Sequence, residues 1–443
     1  MVCQTTTTRT KSLNNSGDVL TDLLAAFEAL PKPPVFKLTT EPVRRVLEAV
    51  GRPQDRLPPV IHIAGTNGKG STTAFMRAIT EAHGLKAHVD TSPHLIRVNE
   101  RIRIAGELIS DEALRSYAER VLEANAGQPM SFFEGMTVVA YLAFADAPAD
   151  VTLVEVGLGG RFDCTNVFDK TACSVITPID FDHRDFLGRH LCQIAWEKAG
   201  IIKPDSPVVS ANQQSEVERT LRAEARFQGA PFTALSEVSD VSVGAEGITF
   251  EIDGMTVGPA DLSLEGPHQL SNAALAILAL KRSGAFKLKS ECVKAGLKSA
   301  VWPARLQKLA DGPLTALLPG KTVMLDGGHN PHAAAALRRA LEPHSPIPAA
   351  MAMLRTKDAE SYLKELAPVI GHLAVLPMTS DKNGHDPKHL ERCAQKLGIS
   401  VSVHDTIEDS LNRLSQEKSD HALICGSLYL AGDVLAENGE IID

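Results

Sequence analysis

The sequence predicts an α/β protein of two domains, each built on a mostly parallel sheet covered by helices. Three observations carry that expectation. The chain has 443 residues, more than the ~100–200 of a typical domain. Short apolar runs of strand length alternate with longer stretches of helical period, the pattern of βα units. That alternation gives way to a β-rich stretch at 238–265 and restarts after residue 305.

Taken in order, residues 1–18 (MVCQTTTTRTKSLNNSGD) are polar and lack an apolar h-region, so they read as a flexible tail and not as a secretory signal. Strands are expected at 59–63, 86–89, 151–156, 172–176 and 207–209, with helices at 72–82, 111–124 and 135–145 between them. Residues 238–265, short runs with Gly at turns, read as a small antiparallel insert packed on the main sheet, and a helix is expected at 271–283. Residues 299–305 (SAVWPAR) read as a hinge. Beyond it TVMLDGGHN, AAMAMLR, HLAVLPM, SVSVHD and ALICGS are strand candidates of a second, Rossmann-like α/β domain at 306–443, long enough to bury its own core.

Apolar residues make up 44% and charged residues 22%, globular values, and the net charge of −9 argues against a non-specific nucleic-acid binder, which needs a basic surface. No apolar run of 18 or more residues suggests a membrane-spanning helix. The seven cysteines, Cys3, Cys164, Cys173, Cys192, Cys292, Cys393 and Cys425, are scattered singly, which fits reduced thiols in a cytoplasmic protein better than a disulfide framework or a zinc site.

The most informative segment is IHIAGTNGKGSTTAFMRAI at 61–79, where an apolar strand runs into Gly65-Thr66-Asn67-Gly68-Lys69-Gly70-Ser71 and a helix follows. Glycines let backbone N–H groups turn inward around phosphate oxygens, and a helix N-terminus adds positive potential. Lys69 can reach the β/γ-phosphates of a nucleotide, and the Ser71 hydroxyl is placed to ligate Mg²⁺. The usual phosphate-loop spacing fails, since Ile63 stands where a glycine is required and Gly70 separates the Lys from the Ser. The loop therefore predicts a P-loop-type ATPase domain at 19–298 with a shortened loop. Glu155 ends the apolar run VTLVEV and precedes a Gly-rich turn, a position that places a carboxylate in the ligand crevice of a parallel sheet.

GTNGKGST resembles the ATP loop of the Mur ligase superfamily, in particular its folylpolyglutamate synthase/dihydrofolate synthase branch. The similarity continues in order through TSPHL (91–95), FFE (132–134), EVGLGGRFDCTN (155–166), DH (182–183), EKAG (197–200), HQLSNA (268–273), PAR (303–305), DGGHNPHA (326–333) and CGS (425–427). The resemblance implies an ATP-dependent ligase that activates a carboxylate as an acyl phosphate and joins it to an amine. It implies Mg²⁺, two ions, the first on Ser92, Glu155 and Ser71, the second on His183. Lys198 matches the lysine that CO₂ carbamylates, and a monovalent cation is a further candidate. Catalytic roles fall on Lys69, His183 and Lys198. ATP contacts fall on Asn67, Gly68, Lys69, Gly70, Ser71, Asn272, Arg305, Asp326 and His329. Contacts to a pterin-bearing substrate fall on Phe132, Phe133, Glu134, Phe162, Asp163 and Cys164. Read without the resemblance, Ser92 before a proline is a turn serine and the paired Phe residues are core.

The implied substrates are ATP, L-glutamate, dihydropteroate and reduced folates, handled by a monomer with no nucleic-acid or membrane partner. Two departures stand out. Lys37 replaces the Asp expected in a loop that holds dihydropteroate, which motivates the alternative of a monofunctional folylpolyglutamate synthase, and Gly327-Gly328 stands where Ala often precedes the His. A peptidoglycan Mur ligase would need a separate N-terminal UDP-binding domain, for which the residues before the first strand leave no room. A non-catalytic nucleotide-binding regulator predicts decay of catalytic positions, yet Lys69, Glu155, His183 and Lys198 stand together.

Overall fold

Residues 19–31, 38–379 and 382–442 are described in the computed structural model of the chain; the expected tail at 1–18, with Cys3, and Lys37 lie outside them. Two helices come first, Val19–Glu28 (α1) and Glu41–Ala49 (α2), the second burying Val43, Val46 and Leu47 at i, i+3 and i+4. The first sheet comprises Val60–Ala64 (β1), Ala87–Asp90 (β2), Ile102–Ile104 (β3), Glu107–Leu108 (β4), Val151–Glu155 (β5), Cys173–Ile176 (β6), Val208–Ser210 (β7) and Phe232–Ala234 (β8), ordered β4-β3-β2-β5-β1-β6-β7-β8. Strands β2, β5, β1, β6, β7 and β8 run parallel, and the β3–β4 hairpin makes one edge antiparallel. Central β1 and β5 are buried at every residue, as strands covered on both faces must be. The helices between are Lys69–Ala82 (α3), Asp111–Asn125 (α4), Phe132–Ala145 (α5), Arg184–Leu187 (α6), Leu191–Ala199 (α7), Ser215–Phe227 (α8) and Leu235–Val238 (α9).

The insert is a three-stranded antiparallel sheet, Ser239–Gly244 (β9), Gly247–Ile252 (β10) and Met255–Ala260 (β11). It does not pack on the main sheet as expected. The helices His268–Ser283 (α10) and Ser290–Ser299 (α11) receive it, and α10 lies between it and strands β6 and β7. The cause is in α10 itself: Ala273 to Leu280 are all fully buried, so the helix is apolar all round and needs cover on both sides.

After residue 306 a second sheet is formed by Gln307–Lys308 (β12), Thr322–Asp326 (β13), Ile347–Met351 (β14), Ile370–Val375 (β15), Ser400–Val403 (β16) and His421–Cys425 (β17), in the order β12-β13-β17-β14-β15-β16. All pairings but β12–β13 are parallel. Helices Pro331–Leu341 (α12), Ala359–Leu366 (α13), Pro387–Lys396 (α14), Ile407–Leu414 (α15) and Leu428–Glu437 (α16) cover it. The two lobes touch: Leu95 and Ile96 pack into the core of the second lobe, and the Leu95 carbonyl approaches Gly432 of α16 so closely that a Cβ there would lie 2.1 Å from its oxygen. Among the described residues no helix is long and apolar enough to cross a membrane.

Candidate active site

Chain leaving β1 turns at Gly65–Gly68 and enters α3, which begins three residues before the expected 72. Gly68 caps the helix at φ 85°, and a Cβ there would meet Asn272 Oδ1 at 2.6 Å. Lys69, Gly70 and Ser71 thus form a first helical turn, whose N–H groups have no acceptor within the helix and are free to bind an anion. A Cβ on Gly70 would lie 2.5 Å from the Trp302 ring, which accounts for the glycine that breaks the usual loop spacing. The Lys69 ammonium donates to the Gly65 carbonyl at 3.3 Å and stands 3.8 Å from Glu155 Oε1, and the Ser71 hydroxyl accepts from Gln269 Nε2 at 3.4 Å.

Glu155 closes β5 and is buried; burial pushes its pKa up against the pull of Lys69 and Arg305. Its Oε2 is buried without a hydrogen-bond partner. An orphaned carboxylate oxygen sharing a cleft wall with the hydroxyl-bearing Ser71 and Ser92 fits a hard divalent cation. Among the described residues no group of three His, Cys, Asp or Glu side chains is arranged to hold a metal ion, so such an ion would take much of its shell from hydroxyls, phosphate and water.

Lys198, on α7, is buried and donates to the same Gly65 carbonyl at 2.8 Å. Burial, reinforced by Lys69, lowers its pKa to about 7. His183 sits in left-handed backbone at φ 50°, and burial lowers its pKa to about 4, leaving a neutral imidazole at pH 7. Its neighbour Asp182 is the better-connected group. Lys357 Nζ reaches Asp182 Oδ1 at 2.6 Å, and on Oδ2 Asn330 Nδ2 lies at 3.1 Å and His329 Nε2 at 3.6 Å. Burial opposes its ionisation, yet His329 and Lys357 hold the carboxyl far below the usual carboxylate range.

The second lobe supplies the other wall. Asn67 Nδ2 donates to Asn330 Oδ1 at 3.0 Å and lies 2.8 Å from His332 Nδ1, tying the phosphate loop to the N-terminus of α12. Arg305, Asp326 and His329 line the same cleft of ≈ 300 Å³ as the phosphate loop, Ser92, Glu155, His183, Lys198 and Asn272. Both Asp326 oxygens are committed to backbone, Oδ2 to Leu306 N–H at 2.9 Å and Oδ1 to Gly328 N–H at 2.8 Å. Those bonds anchor the inter-lobe connection and the loop after β13 and hold the carboxylate on the cleft wall.

A second cavity of ≈ 520 Å³ adjoins the cleft through Ser92, Pro93, His183, His329 and Leu428. Phe133, Glu134, Phe162, Asp163 and Cys164 line it, with Phe162 43% exposed and able to stack on a planar ring. Phe132 is not among its lining residues. It packs edge-on against Phe27, ring centroids 6.0 Å apart, so the expected substrate contact is a core contact. The Glu134 Oε2 accepts from Ser131 N–H and Oγ–H, both at 2.7 Å, in a capping box that starts α5. Asp163 accepts from Leu158 N–H at 2.7 Å and Thr165 N–H at 3.0 Å, and Thr165 Oγ1 joins it to buried His62, so it fixes the Gly-rich turn after β5.

Sequence reasoning missed Asp182 as a hub, Lys357, His268, His332, Arg101 and Trp302. Four of these, Asp182, His268, Trp302 and His332, lie inside segments singled out from the sequence, where neighbouring residues drew the attention. Lys357 sits in Arg355-Thr356-Lys357-Asp358, with no periodicity or spacing to distinguish it from a surface lysine.

A phosphate loop at the end of β1, an orphaned carboxylate at the end of β5 and a cleft closed by a second α/β lobe define an ATP-dependent ligase of the Mur type. The family model of the Mur ligase middle domain matches residues 63–280, and that of the dihydrofolate synthetase C-terminal domain matches 319–437. The chain belongs to the dihydrofolate synthase/folylpolyglutamate synthase family of ATP-dependent ligases. It is 32% identical over 413 residues to the dihydrofolate synthase/folylpolyglutamate synthase of Bacillus subtilis, covering 88% of this chain and 93% of that one. Among solved structures, Escherichia coli FolC in complex with DHPP and ADP superposes with TM-score 0.84 at 29% identity over 95% of this chain and 97% of that one. The bifunctional enzyme of Yersinia pestis with AMPPNP and Mn superposes with TM-score 0.84 at 28% identity over 95% of this chain and 98% of that one.

Proposed function

We propose that the protein adds L-glutamate to dihydropteroate and to the γ-carboxyl of reduced folates, activating each carboxylate with ATP. The single observation that carries this reading is the unpartnered Glu155 oxygen beside Lys69 and the first turn of α3, in a nucleotide-sized cleft that adjoins, through Ser92 and Pro93, a cavity with an aromatic wall. The nucleotide and Mn named in the Yersinia pestis structure, and the DHPP named in the Escherichia coli one, support the substrate classes.

In this reading Asn67, Gly68, Gly70, Ser71, Asn272 and Arg305 hold the nucleotide, with the N–H groups of the loop on phosphate oxygens. Lys69 neutralises the charge that builds on the transferred phosphoryl group, which needs positioning more than covalent help. Glu155, Ser71 and Ser92 would hold a Mg²⁺ ion, with His183 facing a second; bound there, the ions supply Lewis-acid charge neutralisation. A lysine with a pKa near 7 has a substantial neutral fraction, which CO₂ requires, so Lys198 is suited to carbamylation. Phosphoryl transfer to the acceptor carboxylate gives an acyl phosphate, and attack by the glutamate amine forms the amide and expels phosphate. The second lobe shields that intermediate from water. We take 19–298 and 306–443 as the two domains and 299–305 as their hinge, in a monomeric cytoplasmic enzyme; a monovalent cation is a further candidate at the site.

Acceptor labelled with ¹⁸O in its carboxylate tests this directly. One ¹⁸O per turnover should appear in the released phosphate, with dihydropteroate and with tetrahydrofolate. Unlabelled phosphate would overturn the acyl-phosphate reading, and labelling with tetrahydrofolate alone would leave a monofunctional folylpolyglutamate synthase.

A further inference from the structure

The wall of the acceptor cavity holds a cation that the chemistry above does not use. Arg101, at the end of the turn leading into β3, lines the cavity together with Ser92, Pro93, Phe133 and Glu134. Its guanidinium carbon lies 5.8 Å and 5.9 Å from the ring centroids of Phe132 and Phe133, and its Nε donates to His94 Nδ1 at 2.8 Å. Those contacts fix the plane of the guanidinium. Among the described residues no carboxylate lies within ion-pairing distance of it, whereas Lys357 across the cavity is already engaged by Asp182 at 2.6 Å. Asp90 and Glu100 attract it from farther away and Tyr429 faces it from the second lobe. A planar, oriented, largely buried cation without a carboxylate partner is suited to hold a carboxylate by a bidentate fork.

The proposed substrates differ in that group. Dihydropteroate carries one carboxylate, which is the one activated. A folate ending in glutamate presents its γ-carboxylate for activation and keeps a second, the α-carboxylate, a few bonds away. Arg101 stands on the acceptor side of Ser92 and Pro93, the residues shared with the nucleotide cleft, close enough to Glu155 to act on its charge. We infer that Arg101 binds the α-carboxylate of the terminal glutamyl residue of a folate acceptor, and so governs chain extension without serving the first glutamylation. This rests on the reading of the cleft as a folate-ligase site.

The test compares two acceptors that share the γ-carboxylate and differ only in the α-carboxylate: tetrahydrofolate and tetrahydropteroyl-4-aminobutyrate, assayed by incorporation of labelled glutamate. The wild-type enzyme should favour tetrahydrofolate in kcat/KM by ~10- to 100-fold, the value of a charge-assisted paired hydrogen bond. Arg101→Ala should bring that ratio close to one, chiefly by raising KM for tetrahydrofolate, while turnover of the 4-aminobutyrate acceptor persists and certifies the fold. Arg101→Lys should retain part of the preference, keeping charge but losing the fork. An unchanged ratio in Arg101→Ala, equal losses with both acceptors, or a wild-type enzyme indifferent to the α-carboxylate would overturn the inference. Failure of the wild type to glutamylate either acceptor would instead overturn the functional reading beneath it.

Discussion

Lys69 and Lys198 both donate to the carbonyl of Gly65, so two amines converge on one acceptor at the base of the phosphate loop. Their repulsion adds to burial in lowering the Lys198 pKa to about 7, from an ordinary value near 10.4. Between those values the unfolded chain holds a proton that the folded one has released, so this group makes stability rise with pH across that window. The same depression makes carbamylation pH-dependent. A ¹³C carbamate signal on Lys198 and stimulation of turnover by bicarbonate should both be stronger at pH 8 than at pH 6; equal stimulation at both would contradict a role for the neutral amine. Lys69→Ala should lower kcat by ~10²–10³-fold, as loss of a positioned transition-state charge does, with little change in Tm. Activity retained in that variant would remove the loop from the mechanism.

At the scale of elements, Gly70 and Trp302 join the first turn of α3 to the inter-lobe connection. Gly70→Ala would drive a methyl into the indole at 2.5 Å, so we expect a loss of ~1–3 kcal/mol in stability and a raised KM for ATP. Adding Trp302→Ala should recover much of both; if the double variant is as impaired as the sum of the two, the contact is not the cause. The strands that frame the site were legible because β1, β5 and β6 are apolar runs bounded by turns. The two-residue strands β4 and β12 carry no periodicity and were not. The α3 start was obscured by Gly70, a poor helix former placed there by Trp302 and not by helical propensity. Within the site, Lys69, Glu155 and His183 stand in marked contexts, whereas Lys357 gains its place only when β14 and α13 bring it across the cleft to Asp182. Phe132 and Phe133 look alike in sequence; helical geometry sends one to Phe27 and the other to the cavity.

For the whole molecule, the Asp182–Lys357 pair and the Asn67–Asn330 bonds tie the lobes across the cleft, beside the apolar contact of Leu95 and Ile96. The pair's side chains are only 11% and 8% exposed, so removing one partner leaves a largely desolvated charge, a loss of ~3–5 kcal/mol and not the small value of a surface pair. Lys357→Met should therefore enlarge the radius of gyration in solution scattering and raise KM for more than one substrate, and unchanged scattering would contradict a clamp. Because the Asp182 pKa is depressed, the clamp is in full force above the ordinary carboxylate value and weakens only as pH falls through the lower folded one, so closure should not vary between pH 5 and 8.

The central claim is that this cleft spends ATP to join glutamate to a pterin-linked acid. Stoichiometric ADP release, followed with acceptor and glutamate supplied separately and together, tests it most directly. The account predicts sustained release only when both are present, one ADP for each glutamate incorporated. Sustained release that ignores glutamate would contradict it.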